Sequence, residues 1–138
     1  MRQFECSISL AAAPALVWPH MSDVVHWPDW METFQRVEPL DVVQLGMARR
    51  YRVEQPRLRT SVWTVTHLEP LSFTWESRTP GLRMVADHVL EAHGAGTLLK
   101  LRFAFAGLLS PISAALFGGL AQRYLALECA AYDRRVGN

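Results

Sequence analysis

Alternating apolar and polar residues predict a β-sheet that begins at the N-terminus. Within residues 3–10 every second side chain is apolar, as in a strand with one buried and one solvent-facing side. Six more segments have strand-like composition, and turn signals such as Pro80-Gly81 separate several of them, as in antiparallel hairpins. These predicted strands cover residues 33–40, 47–55, 60–68, 71–78, 82–92 and 96–106.

Two other segments predict helices. Residues 11–31 favour two short helices, because Pro14 suits a first helical turn while Pro19 and Pro28 prevent one long helix. After Pro111, apolar residues recur every three or four positions, which predicts a helix of about 24 residues. Its expected buried stripe consists of Ile112, Leu116, Leu120, Tyr124, Leu127 and Ala131. Strands followed by a helix indicate an α+β fold, and nothing divides residues 1–138 into more than one domain.

Charge and cysteine content exclude several classes of function. Fourteen basic and thirteen acidic residues leave a net charge of +1, which gives no field for a nucleic-acid partner. The two cysteines show neither metal-ligand spacing nor a disulfide framework, so we expect a reduced, cytoplasmic setting. The uncharged stretch 103–122 is long enough to cross a bilayer. Because Gly107 and Pro111 interrupt it, we interpret it as two buried elements and expect no membrane span.

Several motifs, taken in order, resemble the START-like helix-grip (SRPBCC) superfamily in its polyketide cyclase/dehydrase and lipid transport branch. They are residues 8–18 and 23–30, Gly46, residues 68–70, residues 73–75, the turn at 94–97 and the amphipathic C-terminal helix. The resemblance implies a curved seven-stranded antiparallel sheet around the long C-terminal helix, with two short helices after the first strand. It also implies a cavity for an apolar ligand between sheet and helix. It does not fix the activity, because members include cyclases, carriers and ligand sensors.

Two residues break the apolar pattern of the predicted inner sheet face, Arg49 and His88. A buried guanidinium needs a carboxylate, a carbonyl cluster, water at the cavity mouth or an acidic ligand; otherwise Arg49 extends to solvent. His88 has three interpretations: a structural hydrogen bond, perhaps to Tyr51 or Tyr124; contact with a ligand; or proton transfer. It is the one catalytic candidate, and the catalytic residues are otherwise unknown.

The ligand-binding candidates come from the inner sheet face, the last helix and the short helices. Trp27 and Trp30 fall where the superfamily places a cavity entrance, although core packing explains them equally well. The full set is Trp27, Trp30, Arg49, Tyr51, Trp63, Phe73, Trp75, Met84, His88, Leu101, Phe103, Phe105, Leu120 and Tyr124. No cofactor motif is present, and we expect no metal site. The prolines prevent His20, Asp23, His26 and Asp29 from sharing one helical face.

Three functions remain open from the sequence. The leading hypothesis is binding of a small hydrophobic molecule, such as a lipid, an aromatic or a polyketide-like compound, with Arg49 and His88 as polar contacts. The second is a cyclase/dehydrase-type enzyme in which His88 moves a proton while Tyr51 or Arg49 stabilises an enolate. The third is a module that binds a protein partner around Trp27 and Trp30 without a small ligand. Glu128 is expected to be solvated or paired with an exposed arginine, or to pair with Arg49 or His88 if its side of the helix faces the sheet. A homodimer stays open.

Overall fold

A computed structural model describes residues 2–137 and shows a seven-stranded sheet with one long helix on its inner face. All neighbouring strands are antiparallel, in the order β1-β7-β6-β5-β4-β3-β2. The strands are β1 (Arg2–Leu10), β2 (Arg36–Pro39), β3 (Arg50–Glu54), β4 (Ser61–Glu69), β5 (Ser72–Thr79), β6 (Leu82–His93) and β7 (Gly96–Ala106). The helices are α1 (Pro14–Ser22), a 3₁₀ helix (Val24–Asp29) and α2 (Ser110–Val136). The predicted helix-grip architecture is confirmed.

The two ends of the sheet are covered differently. At one end lie α1, the loop 40–49 and the β4–β5 turn. The opposite end holds the β3–β4 loop, the β5–β6 turn and the start of α2, where the Leu109 amide donates to the Gly81 carbonyl. The long helix crosses the inner face from this second end and packs mainly on β1 and β7.

Alternation along the strands places the predicted apolar set on the inner face. Tyr51, Phe73 and Leu99 are fully buried, whereas outward-facing side chains such as Arg52 form exposed ion pairs. One irregularity, a register shift between Val65 and His67, interrupts the pairing of β4 with β5. Because alternation sorts side chains correctly wherever one face is dry, the inner face could be predicted from the sequence.

An aromatic core fills the inner face beneath the short helices. The 3₁₀ helix places Trp27 over the sheet, where its ring lies 5.3 Å from that of Trp75 and 4.9 Å from that of Phe34. The Trp27 indole Nε1 donates to the Met21 carbonyl at 3.2 Å, so its polar atom is satisfied inside the protein. Only 1% of Trp27 is exposed. Of the two interpretations of Trp27, core packing and a place at a cavity entrance, this burial supports core packing.

The buried face of the long helix α2 overlaps only in part with the predicted stripe: Ala131 is buried as predicted, and Leu120, Tyr124 and Leu127 are half-buried. Ile112 and Leu116, expected inside, are 60% and 71% exposed. The buried positions, several of them small residues, are Ser110, Ser113, Gly118, Leu125, Glu128, Cys129, Ala131 and Tyr132. The reason is close approach: a Cβ added at Gly118 would lie 2.8 Å from Phe4 Cζ. Only small side chains fit there, so the large apolar residues of the first turns face outward, and the interpretation of 103–122 as wholly buried is wrong.

Hydropathy along the helices gives a separate result. Within residues 2–137, no helix combines the length and apolar character that crossing a membrane requires.

Candidate functional site

His88 lies at the centre of the aromatic core. Its imidazole stacks on the Phe73 ring with centroids 4.1 Å apart, and Nδ1 lies 3.2 Å from the Phe73 carbonyl oxygen. Because a carbonyl can only accept, Nδ1 carries the proton and donates. Burial lowers the pKa of His88 to about 4, so the ring is neutral at physiological pH. The prediction of a structural hydrogen bond is therefore met, but its partner is the Phe73 backbone carbonyl and not Tyr51 or Tyr124.

Arg49 and Tyr51 hold the loop that precedes β3. Arg49 Nη1 donates to the Gln44 carbonyl at 2.7 Å, and the Tyr51 hydroxyl donates to the same carbonyl at 2.8 Å. Gly46 allows the guanidinium to pack closely, because an added Cβ would lie 2.7 Å from Arg49 Nε. Of the partners expected for Arg49, the structure provides the carbonyl cluster. Both side chains therefore already have a structural role at the α1 end of the sheet.

Glu128 is the polar residue that sequence reasoning placed wrongly. It lies on the buried face of α2 with 9% of its surface exposed, and burial raises the pKa of its carboxyl to about 8. No basic side chain within residues 2–137 forms an ion pair with it. The expected solvation or pairing with an arginine is therefore wrong. At neutral pH the carboxyl keeps its proton and can donate a hydrogen bond.

Two buried hydroxyls accompany Glu128. Tyr132 follows it by four residues on the same face of α2, and Thr33 lies beside the carboxyl from the segment after the 3₁₀ helix. The Tyr132 hydroxyl has no hydrogen-bond partner in the part of the chain that the structure describes. Thr33 Oγ1 is buried beside the Glu128 carboxyl, and its hydroxyl lowers the pKa of that carboxyl by less than burial raises it. Buried polar atoms are nearly always paired, so these three groups form a site that a water or a ligand atom can complete. We call Thr33, Glu128 and Tyr132 the interior polar cluster.

The fourteen predicted ligand-binding residues separate into two groups by burial. The first group is buried and forms the core: Trp27, Tyr51, Trp63, Phe73, Trp75, His88, Leu101 and Phe105. The second group keeps part of its surface accessible: Trp30, Arg49, Met84, Phe103, Leu120 and Tyr124. In the second group, Trp30 lies at the far end of α2, where its ring contacts Tyr132 at 4.9 Å.

The last four residues lie on neighbouring elements near the first half of α2. Phe103 of β7 contacts Trp63 and Phe105, with ring centroids 6.4 Å and 4.9 Å apart, and Met84 pairs with Phe105 across β6 and β7. The Tyr124 hydroxyl donates to the Pro56 carbonyl, which joins α2 to the β3–β4 loop. Met84 and Phe103 on the inner sheet face and Leu120 and Tyr124 on α2 each stay partly accessible. We refer to the space that these four residues face as the inner groove and define it by them.

Two open clefts occur at the surface, and neither is lined by a predicted ligand-binding residue. One, of about 690 Å³, lies at the α1 end among Trp18, Asp23, Val43, Leu45 and Leu68, with neighbouring residues. The other, of about 460 Å³, lies between the start of β1 and the first turns of α2. The aromatic residue that borders the larger cleft is Trp18, which the sequence did not indicate as a site residue.

The described residues contain no cluster of three or more histidine, cysteine or acidic side chains arranged to hold a metal ion. His26 instead forms an exposed contact with Asp23, whose carboxylate lies 2.8 Å from Nδ1 and raises the pKa of the imidazole through that hydrogen bond.

Comparison with known families accounts for this architecture. The family described as polyketide cyclase/dehydrase and lipid transport matches residues 1–136. The chain belongs to that family. Its helix-grip sheet and gripped C-terminal helix are therefore those of the START-like superfamily. No curated protein matches the chain.

Solved structures share the family fold at low sequence identity. A START superfamily protein from Mycobacterium smegmatis is 16% identical, with a TM-score of 0.77 over 97% of this chain and 96% of its own. The Zhui aromatase/cyclase from Streptomyces sp. R1128 is 17% identical, with a TM-score of 0.75 over 98% and 93%. Norcoclaurine synthase from Thalictrum flavum is 12% identical, with a TM-score of 0.76 over 98% and 86%. At such identities the likeness shows the fold alone.

Proposed function

We propose that this family member binds a small, largely apolar molecule in the inner groove, between the sheet and α2. The observation that carries the proposal is the partial exposure of Met84 and Phe103 on the inner sheet face, beside the buried Leu101 and Phe105. Covering apolar surface with a ligand lowers the free energy by about 25 cal/mol for each Å² removed from water. The helix opposite presents small residues such as Ser113 and Gly118, which leaves the large apolar surface on the sheet side.

The proposed ligand also carries a polar atom. Leu120, Tyr124, Glu128 and Tyr132 follow one another at four-residue spacing, so they form one row along α2. This row spans about 18 Å and leads from the inner groove to the interior polar cluster. A ligand lying along it would place its apolar part against Met84 and Phe103. Its carbonyl or hydroxyl oxygen would reach the protonated Glu128 carboxyl and the unpaired Tyr132 hydroxyl.

The buried predicted residues would form the wall of this site. The sequence predicts Arg49 and His88 as polar contacts for the ligand, but both side chains donate hydrogen bonds to backbone carbonyls. The interior polar cluster supports the role better, because the buried Tyr132 hydroxyl lacks a partner among the described residues. In the proposed site, therefore, His88 and Trp75 shape the wall, and Glu128 supplies the hydrogen bond.

A second candidate function is proton transfer of the cyclase/dehydrase type. One observation favours it: a buried carboxyl whose pKa of about 8 lets it give and take a proton near neutral pH. In that role, the protonated Glu128 would donate a hydrogen bond to the oxygen of a bound ketone, where negative charge develops. His88 is less suited to this task, since burial lowers its pKa to about 4 and its Nδ1 proton is engaged.

The structure gives little support to the third hypothesis, a partner-binding module built around Trp27 and Trp30. Trp27 is buried beneath the short helices and presents no surface to a partner. Trp30 remains partly accessible, but its ring packs on Tyr132 and lies under the Arg135 guanidinium at 5.8 Å.

Substituting lysine for Met84 is expected to weaken binding of 2-naphthol, a neutral, largely apolar fluorescent probe with one hydroxyl, by tenfold or more. The reason is that a charge would enter the inner groove, where an ammonium group has no partner, and tenfold corresponds to about 1.4 kcal/mol. The matched control is Val85→Lys, because Val85 is the next residue on β6, is similarly buried and faces the outer side of the sheet. Affinities come from fluorescence titration, with circular dichroism to verify folding. Equal affinities for the two folded variants would contradict the proposed site.

A further inference from the structure

The first turns of α2 carry an apolar surface that nothing in the structure covers. Leu108, just before the helix, is 91% exposed, and Leu116 in the second turn is 71% exposed. Together with Leu109, Ile112 and Phe117 they form what we call the apolar stripe. Single exposed apolar residues are ordinary, but a contiguous set on one end of a molecule indicates an interaction surface.

Four arginines lie on α2 or at the end of the sheet where α2 begins. Arg123 lies on α2 seven residues after Leu116, and Arg2 borders the same cleft as Pro111 in the first turn. Arg57 and Arg59 belong to the β3–β4 loop, which the hydrogen bond from Tyr124 to Pro56 holds against the helix. None of these four arginines forms an ion pair within residues 2–137.

Acidic residues are almost absent from this end. The segments 55–68 and 92–127 contain no aspartate or glutamate. Acidic residues next to these segments are engaged: Glu54 by Arg36, Glu76 by Arg78 and Arg83, and Glu5 by Arg102. A chain with a net charge of only +1 therefore concentrates unpaired positive charge around its apolar stripe.

Charge decides between the surfaces that could cover the stripe. A second copy of the chain, docked stripe to stripe by two-fold symmetry, would bring the arginines of both copies together. The surface that complements apolar residues flanked by arginines is a bilayer containing anionic phospholipids. Its phosphates would pair with the guanidinium groups, and the apolar residues would enter the boundary between headgroups and acyl chains.

We propose that this end of the molecule docks on the surface of an anionic lipid bilayer through the apolar stripe and its arginines. The uncharged stretch that raised the question of a membrane span would then lie on the membrane. Each basic residue near such a surface contributes roughly fivefold to binding. Docking does not depend on the proposed ligand site, because the stripe faces away from the sheet.

Vesicle sedimentation tests the proposal with the intact chain. We expect binding to phosphatidylcholine vesicles that contain phosphatidylserine, at least tenfold weaker binding to phosphatidylcholine alone, and release at about 0.5 M salt, where charges are screened beyond about 4 Å. Leu116→Glu should weaken binding at least tenfold, and Arg57→Gln with Arg59→Gln should weaken it to a similar degree. The matched control is Leu16→Glu, because Leu16 is 64% exposed on α1, away from the stripe.

Three results would overturn the proposal. One is failure of the wild-type chain to bind phosphatidylserine vesicles at low salt. Another is equal loss of binding in the Leu116 and Leu16 variants, once thermal unfolding shows both to be folded. The third is concentration-dependent dimerisation in analytical ultracentrifugation that Leu116→Glu abolishes, without vesicle binding, which would assign the stripe to a second copy of the chain.

Discussion

Glu128→Gln is expected to stabilise the protein at about pH 8.5, by an amount that falls close to zero near pH 5. The carboxyl has a pKa of about 8 in the folded state, raised by burial from its ordinary value of 4.5. Between these two values the unfolded chain has released a proton that the folded chain still holds. The free energy of unfolding of the wild type therefore falls as pH rises, by up to about 1.4 kcal/mol per pH unit.

Glutamine keeps the shape of the protonated carboxyl but does not ionise, so the variant escapes this loss. Over the full interval the expected gain is several kcal/mol. Urea unfolding at the two pH values gives the difference directly. Glu32→Gln is the control, because Glu32 is exposed, and its substitution should change stability by no more than about 0.5 kcal/mol at either pH. A Glu128→Gln variant that is destabilised at both pH values would mean that the folded protein pairs an ionised carboxylate.

Trp27→Ala is expected to destabilise the protein by about 3–5 kcal/mol, the range for removing a large aromatic side chain from a packed core. Trp27 contacts the rings of Phe34, Phe73, Trp75 and His88, so its loss leaves a cavity that these neighbours cannot close. Chemical unfolding followed by circular dichroism measures the effect.

Trp30→Ala provides the comparison, because Trp30 is partly accessible and should cost markedly less. Similar costs for the two variants, each below about 1 kcal/mol, would show that Trp27 is not part of the core. If Trp27→Ala lowered the probe affinity without changing stability, Trp27 would instead lie at the cavity entrance that the superfamily resemblance implies.

The sheet could be predicted from the sequence because alternation responds to a single variable, the contrast between a dry and a wet face. Tyr51, Trp63 and Phe73 follow that contrast, and all three are buried on the inner face. The short helices were equally accessible to prediction, since Pro14 and Pro28 restrict the backbone locally whatever the tertiary structure. Such local signals do not depend on what packs against the element.

The buried face of α2 could not be predicted in the same way. Apolar spacing points to Ile112 and Leu116, but the helix lies so close to β1 that Gly118 contacts Phe4. Sterics thus select small residues for the interface, and hydropathy alone does not register how closely two elements approach. A signal was present in the glycine and the alanines and serines that recur along the helix.

Glu128 was misplaced for the same reason. Once Gly118 and Leu125 define the buried face, Glu128 falls on it, and its carboxyl is then buried among polar groups that no periodicity indicates. Thr33, which precedes β2, comes close to the carboxyl only through the tertiary fold. A site assembled from separate segments leaves no spacing pattern in the sequence.

The most direct test of the account is to locate a bound apolar probe by amide NMR. Titration with the neutral probe 2-naphthol is expected to shift the amide signals of Met84, Phe103, Tyr124 and Glu128, which line the inner groove and lead to the interior polar cluster. Shifts confined to Val43, Leu45 and Leu68 at the surface cleft, or no shifts at saturating probe, would contradict the claim that the ligand lies between the sheet and α2.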